Sequence, residues 1–419
     1  MTQPSALSLF EAFGVELEYM IVDAKTLDVR PIADELLKSV SSTGLPESEV
    51  ERSGGASWSN ELAAHVLEIK TTEPTPDLSG AQMTLAASVR ELNALLKPLG
   101  ARLMPGAMHP WMDPAVETRL WPHDYADVYA ALDRLFDCKR HGWSNLQSVH
   151  LNLPFASDEE FGKLHAAVRL ILPLLPALCA SSPIAGGKLA GPLDNRLSLY
   201  AVNQASTPSL TGRVIPEQAF TRADYQRLIL DPIARDVARL DPSGTLKPEW
   251  MNSRGAIARF DRGSIEIRLM DVQECPAADL AICSAVTSVL QWLVAEGPCS
   301  TAEQMAMPVE PLRAILDSTI AHADQAPIAD EVYLDLLAVD PRSGDEPVKA
   351  WEVWSEILEL AEVDLSDPLH EPLQTILDEG PLSQRILAGL AGKADRASIA
   401  RVYARLCDCL DSGTQFRVG

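Results

Sequence analysis

Short runs of alternating apolar and polar residues, separated by longer segments of helical periodicity, predict an α+β fold. Stretches 14–22, 66–72, 147–153 and 263–271 alternate with period two, the mark of strands that bury one face. Segments around 85–96, 161–175 and 280–293 instead repeat apolar residues every three and four positions. With 419 residues, 47% of them apolar, the chain can bury a large core. The polar strand positions carry Glu, His and Arg. The expected sheet therefore has one dry face covered by helices and one face equipped for chemistry.

In the first strand, Val15, Leu17, Tyr19 and Ile21 make the apolar face. Glu16 and Glu18 project from the other, about 6–7 Å apart at the usual rise per residue. Taken alone, such a pair reads as a solvated strand face. Asp23 to Val50 is mixed, with a helix predicted near 32–40, and Ser53 to Ser57 reads as a loop. Val66 to Thr72 is the second strand, with Leu67 and Ile69 opposed to Glu68 and Lys70. Leu85, Val89, Leu92 and Leu96 mark a helix that Pro98 and Gly100 close.

Met104 to Pro114 reads as a loop containing His109-Pro110-Trp111. The third strand, Gln147 to Leu153, opposes Val149, Leu151 and Leu153 to Ser148, His150 and Asn152. Ser157, followed by Glu160, opens a helix as a capping box. The Gly-rich loop Ser182 to Gly191 is no phosphate loop of the P-loop type, because Leu189 follows Lys188. Strands at 255–260 and 263–271 flank Asp261-Arg262 as a hairpin, with Ser264, Glu266, Arg268 and Met270 on the polar face. Beyond it the pattern is helical, at 277–296, 312–323, 350–362, 369–377 and 397–410.

The formal charge is −24, which argues against a nucleic-acid or anionic-membrane surface. Residues 301–419 hold 9 basic and 22 acidic residues, so the acidity concentrates there. Two regions follow: a catalytic sheet-and-helix domain over 1–300 and an acidic helical region over 301–419 packed on it. Seven cysteines without a Cys-x-x-Cys pair fit neither a disulfide framework nor a zinc site. The first 13 residues have no basic or long apolar segment, and the expectation is a cytoplasmic protein.

Together the four strand faces offer Glu16, Glu18, Glu68, His150, Glu266 and Arg268. Hard carboxylate oxygens in that number suit two or three divalent ions, Mg²⁺ or Mn²⁺, of the kind that hold a nucleotide's phosphates. Arg268, in phase with Glu266, is placed to stabilise charge on a transferred phosphoryl group.

The successive motifs Gly14-Val15-Glu16-Leu17-Glu18, Leu67-Glu68-Ile69-Lys70-Thr71, His109-Pro110, Ser148-Val149-His150-Leu151-Asn152, Ser182-Pro183 with Arg196, and Ile265 to Asp271 resemble those of the type 2 glutamate-cysteine ligases and related carboxylate-amine ligases. The resemblance spans about the first 290 residues, in the family's order. It implies a glutamine-synthetase-like fold, a curved, mainly antiparallel sheet forming an open funnel with helices outside. It also implies that ATP phosphorylates the side-chain carboxylate of glutamate and that the amine of cysteine or another amino compound attacks the acyl phosphate to give an amide. On the matching positions, Glu16, Glu18, Glu68 and Glu266 are expected to bind metal, His150 metal or phosphate, and Arg268 the phosphoryl group. Arg196 is expected at a substrate carboxylate. His109 reads equally as a substrate contact or as a turn held by packing. Two departures from the family pattern are Leu17 between the glutamates and Ser148 where a further histidine often stands.

The partners expected are small molecules, an amino-acid carboxylate and an amine, with neither nucleic acid nor membrane; a homo-oligomer is compatible with the sequence. Two other functions fit the same residues. One is a guanidino phosphotransferase, distinguished by its phosphorylated product; the other is a non-catalytic acidic binding protein on a degenerate ligase scaffold, distinguished by the absence of ATP turnover.

Overall fold

Strand β1 (Gly14–Asp23) lies in the interior of a sheet in the computed structural model, which describes residues 6–341, 347–363 and 367–418. The other strands among the described residues are β2 (Glu49–Arg52), β3 (Ala56–Asn60), β4 (Val66–Thr71), β5 (Ala101–Met104) and β6 (Ser148–Pro154), then a small hairpin of β7 (Ile184–Ala185) and β8 (Lys188–Leu189), then β9 (Ala256–Arg259) and β10 (Ser264–Asp271), and last a short pair of β11 (Pro327–Ile328) and β12 (Val348–Lys349). Among the described residues the large sheet runs β2-β3-β4-β1-β6-β10-β9, with β5 paired to the far end of β1. Every pairing in it is antiparallel. The end strands β2 and β9 do not meet, so the sheet is open.

The dry face is built as the alternation requires. Val15, Leu17, Tyr19, Leu67, Ile69, Val149, Leu151, Ile265 and Ile267 join one buried cluster with side chains from the helices Leu78–Leu96, Asp158–Ile171 and Pro276–Val294. Tyr19 Oη donates to Asp279 Oδ2 at 3.2 Å, tying the last of these helices to the sheet. Each fully buried aliphatic side chain contributes roughly 1.5–3 kcal/mol, so a one-residue slip of β1 would forfeit several such terms and bury Glu16 and Glu18 instead. By composition, Asp158–Cys179 and Pro276–Val294 could each cross a membrane; here both are packed largely inside the protein.

Three local readings change. Ser53 to Ser57 is the turn and first residues of a β-hairpin rather than a loop between distant elements; Gly54 and Gly55 have φ of +114° and +88°, conformations that side chains rarely adopt. Met104 ends a strand instead of opening a loop. In β10 the register shifts: Ile267 pairs with Leu151 but Met270 pairs with Val149, so Arg268 and Leu269 together face His150 alone. Past this bulge the faces exchange. Met270, expected on the polar face, is in the core, and Asp271 pairs with Ser148 on the other side.

Ser157 Oγ accepts the Glu160 N–H at 3.2 Å, while the Glu160 carboxylate accepts from Ala156 N at 2.7 Å, one residue earlier than in a capping box. The helices after residue 300 share the main core through Leu312, Leu316, Val353, Trp354, Leu373 and Ile376. The last two, Leu382–Leu390 and Arg396–Ser412, pack on Met20, Val22 and Met104. The even-numbered face of β1 is thus apolar and covered at one end. Its other end carries Glu16 and Glu18.

Candidate active site

Cross-strand pairing gathers the expected carboxylates. Glu16 stands opposite Lys70 on β4 and His150 on β6, and Glu18 stands opposite Glu68. Like charges in such pairs repel, so each carboxylate must be compensated. His150 Nδ1 lies 2.9 Å from Glu16 Oε2, and Asn152 Nδ2 donates to Glu16 Oε1 at 3.1 Å. Glu18 Oε2 accepts from Ser148 N at 2.7 Å and from its hydroxyl at 3.1 Å; that hydroxyl is also 3.0 Å from His150 Nε2. Ser148 thereby joins the two ligand-type residues Glu18 and His150.

Glu68 accepts from Ser59 Oγ at 2.7 Å and lies 3.2 Å from Lys70 Nζ. Burial raises the Glu16 carboxyl, but the hydrogen bond and charge of His150, with Lys70, outweigh it and hold the group down at about 2. Glu68 cannot then ionise as easily. Burial and the Glu16 charge push it up to about 7, against the pull of Lys70 and His150. Glu61, just beyond β3, is pushed well up by burial and by Glu18, Glu68 and Glu16. His150 is raised despite burial, through Glu16 and Glu18.

A surplus of negative charge is what a cation would relieve. Among the described residues, Glu16, Glu68 and His150 each offer a ligand atom within 4.8 Å of the others, and so do Glu18, Glu61 and Glu68. The two groups share Glu68, and their oxygen-rich donor set fits hard divalent cations. Sequence reasoning missed Glu61, because it is a lone carboxylate beyond a short strand whose first residues read as a loop.

The opposite side of the site is basic. Glu266 is buried, and both oxygens face guanidinium groups: Arg268 on Oε1, through Nη2 and through Nε at 3.1 Å, and Arg259 Nη1 on Oε2 at 3.2 Å. Burial opposes its ionisation, but these arginines and His150 hold its carboxyl below the usual range. Glu266 therefore shares the face with the other glutamates yet belongs to neither three-ligand group. A cavity of about 400 Å³ contains both sides, lined by Glu16, Glu18, Glu61, Glu68, His150, Glu266, Arg259, Arg262 and Arg268, with Tyr200 and Trp250 among its other walls.

Arg196 also reaches this lining, but its guanidinium is nearly buried and engaged with the protein: Nη2 donates to Arg268 O at 2.7 Å, and Nη1 to Leu269 O at 3.2 Å and Asp271 Oδ1 at 3.3 Å. His109 is placed elsewhere. It is fully buried, with Nε2 2.8 Å from Leu27 O and Nδ1 accepting from Met112 N at 2.9 Å; burial lowers it to about 3. The geometry supports the packing reading of this residue.

The family model for glutamate-cysteine ligase family 2 matches residues 12–405. The chain belongs to this family. An uncharacterized protein from Archaeoglobus fulgidus is 32% identical over 401 residues, 95% of this chain and 98% of that one. A putative glutamate-cysteine ligase 2 of Bradyrhizobium sp. is 28% identical over 284 residues, covering 65% of this chain and 59% of that protein. Among solved structures, the Francisella tularensis glutamate-cysteine ligase in complex with AMP matches with a TM-score of 0.59 and 12% identity, over 96% of this chain and 89% of that one. The last likeness shows the shared fold, an open antiparallel sheet with helices around it.

Proposed function

We propose that this chain is an ATP-dependent carboxylate-amine ligase of glutamate-cysteine ligase type, forming an amide through an acyl phosphate. The observation that supports this most is the pairing, in one cavity, of two cation-ready ligand groups sharing Glu68 with a fixed guanidinium on the adjoining strand. Glu16, Glu18, Glu61, Glu68 and His150 are assigned to Mg²⁺ or Mn²⁺. Bound there, the ions would neutralise and orient the nucleotide's phosphate oxygens.

A substrate carboxylate oxygen attacks the γ-phosphorus of ATP, and the bond to ADP breaks. The amine nitrogen of the second substrate then attacks the acyl carbon; inorganic phosphate leaves and the nitrogen loses a proton. Arg268 pairs with phosphoryl oxygens during the first step, while Glu266 holds its guanidinium in place. Arg259, bonded to the other oxygen of Glu266, keeps that buried carboxylate compensated.

A screen of amino-acid pairs for phosphate release tests the reading. Release should require divalent metal, an acid and an amine together, with an amide found by mass spectrometry. A phosphorylated guanidino product, or no turnover with any pair, would overturn it.

A further inference from the structure

The bulge in β10 leaves a backbone problem beside the site. Arg268 and Leu269 together face one residue of β6, which interrupts the regular ladder at this point. Buried carbonyls without partners are costly. Arg196 bonds the carbonyls of both residues, donating Nη2 to Arg268 O at 2.7 Å and Nη1 to Leu269 O at 3.2 Å. On the other side, Arg268 N donates to Gly255 O at 3.0 Å. The peptide groups flanking the Arg268 Cα are thereby held from two directions.

Arg196 is itself fixed. Asp271 Oδ1 accepts its Nη1 at 3.3 Å, while Asp271 Oδ2 accepts from Ser181 N and Ser182 Oγ, both at 2.9 Å. Ser182 Oγ also accepts the Arg196 N–H at 3.1 Å. The Arg196 side chain is 3% exposed and that of Asp271 fully buried. Both terminal guanidinium nitrogens are thus committed to the protein, and Nε alone has no partner.

We propose that Arg196, locked by Asp271, is a positioning residue that sets the β10 bulge and so aims Arg268 into the cavity. The proposal rests on the ligase reading for Arg268 and replaces the expectation that Arg196 binds a substrate carboxylate. The fork is what the task needs, because one lysine ammonium cannot reach two carbonyls and a carboxylate in this geometry.

The test is a double-mutant cycle with amide hydrogen exchange. Arg196→Lys should lower kcat by about 10–100-fold, the scale of a small misplacement of a reacting group. KM for ATP and both co-substrates should stay within about threefold, and Arg196→Lys should cost little more once Arg268→Lys is present. Exchange over 264–271 should quicken while that over 14–22 is unchanged. A raised KM for the acid substrate with kcat retained, or multiplicative losses in the double variant, would make Arg196 a substrate ligand and overturn the proposal.

If Arg196→Lys does not fold, Ser182→Ala loosens Asp271 without removing a charge. It should show a smaller kcat loss, about two- to fivefold, that also vanishes in the Arg268→Lys background. If the wild type turns over no substrate pair, the ligase reading fails; unchanged exchange over 264–271 in Ser182→Ala and Arg196→Lys would separately refute the positioning role.

Discussion

Glu68→Gln isolates the charge strain at the centre of the site, since Glu68 belongs to both ligand groups. Its carboxyl, 4.5 when unperturbed, rises to about 7 in the fold. A raised acid is destabilising in its ionised form: the cost is fully present above pH 7, fades as pH falls, and is gone below about 4.5. A shift of that size corresponds to about 3 kcal/mol at most at pH 8. Glutamine keeps the shape of the protonated acid, so without metal the variant should be more stable at pH 8 and no more stable at pH 4. For a chain of this length about 3 kcal/mol is a rise of roughly 3–4 °C in Tm. Thermal denaturation in EDTA and then with Mg²⁺ reads both halves of the expectation. The wild type should gain stability with Mg²⁺ and the variant much less, with ligase activity mostly lost. A lower Tm in EDTA, together with an undiminished response to Mg²⁺, would refute the reasoning.

Arg268→Lys keeps charge but loses the fork, and should lower kcat about 10²–10³-fold while changing nucleotide KM much less; a large KM rise with unchanged kcat would assign it to ground-state binding. His109 is held neutral at about 3, so the unfolded chain takes up its proton first and stability falls as pH drops below about 6.5. In urea titrations the advantage of wild type over His109→Gln should therefore shrink by about 2–3 kcal/mol between pH 7 and 4.5; an equal difference at both pH values would contradict this. Arg385 and Glu274 form a buried pair that also binds the backbone of Phe416, so Arg385→Met should cost about 3–5 kcal/mol by stranding the Glu274 charge. Glu274→Met in the same chain should recover much of that loss, as measured by chemical denaturation.

The sheet was legible where one face is dry. Val15, Leu17, Ile69, Leu151 and Ile267 fix the phase of their strands, and phase alone puts Glu16, Glu18, Glu68, His150 and Glu266 on the other face. Pairing brings those positions together without any local signal beyond alternation. The bulge was illegible because Leu269 and Met270 are both apolar and both buried, so the sequence carries the same period past the point where the structure breaks it. The role of Arg196 depended on that break and on partners far along the chain, whereas that of Glu266 depended on how Arg259 and Arg268, close by in sequence, share its two oxygens. Glu61 escaped because the Gly-Gly turn makes Ser53 to Ser57 read as a loop, and the short alternation that remains in Ala-Ser-Trp-Ser-Asn does not by itself mark a strand leading to it. His109 stood equally for two roles in sequence, and its contact with Leu27 O, which supports the packing role, is set by tertiary structure.

Oxygen transfer from the acid substrate tests the acyl phosphate most directly. With the carboxylate of the accepted amino acid labelled with ¹⁸O, one labelled oxygen should appear in the inorganic phosphate for each amide formed, because the carboxylate oxygen that attacks ATP leaves with the phosphoryl group. Mass spectrometry of the phosphate reads this. Unlabelled phosphate accompanying amide formation would contradict transfer through an acyl phosphate.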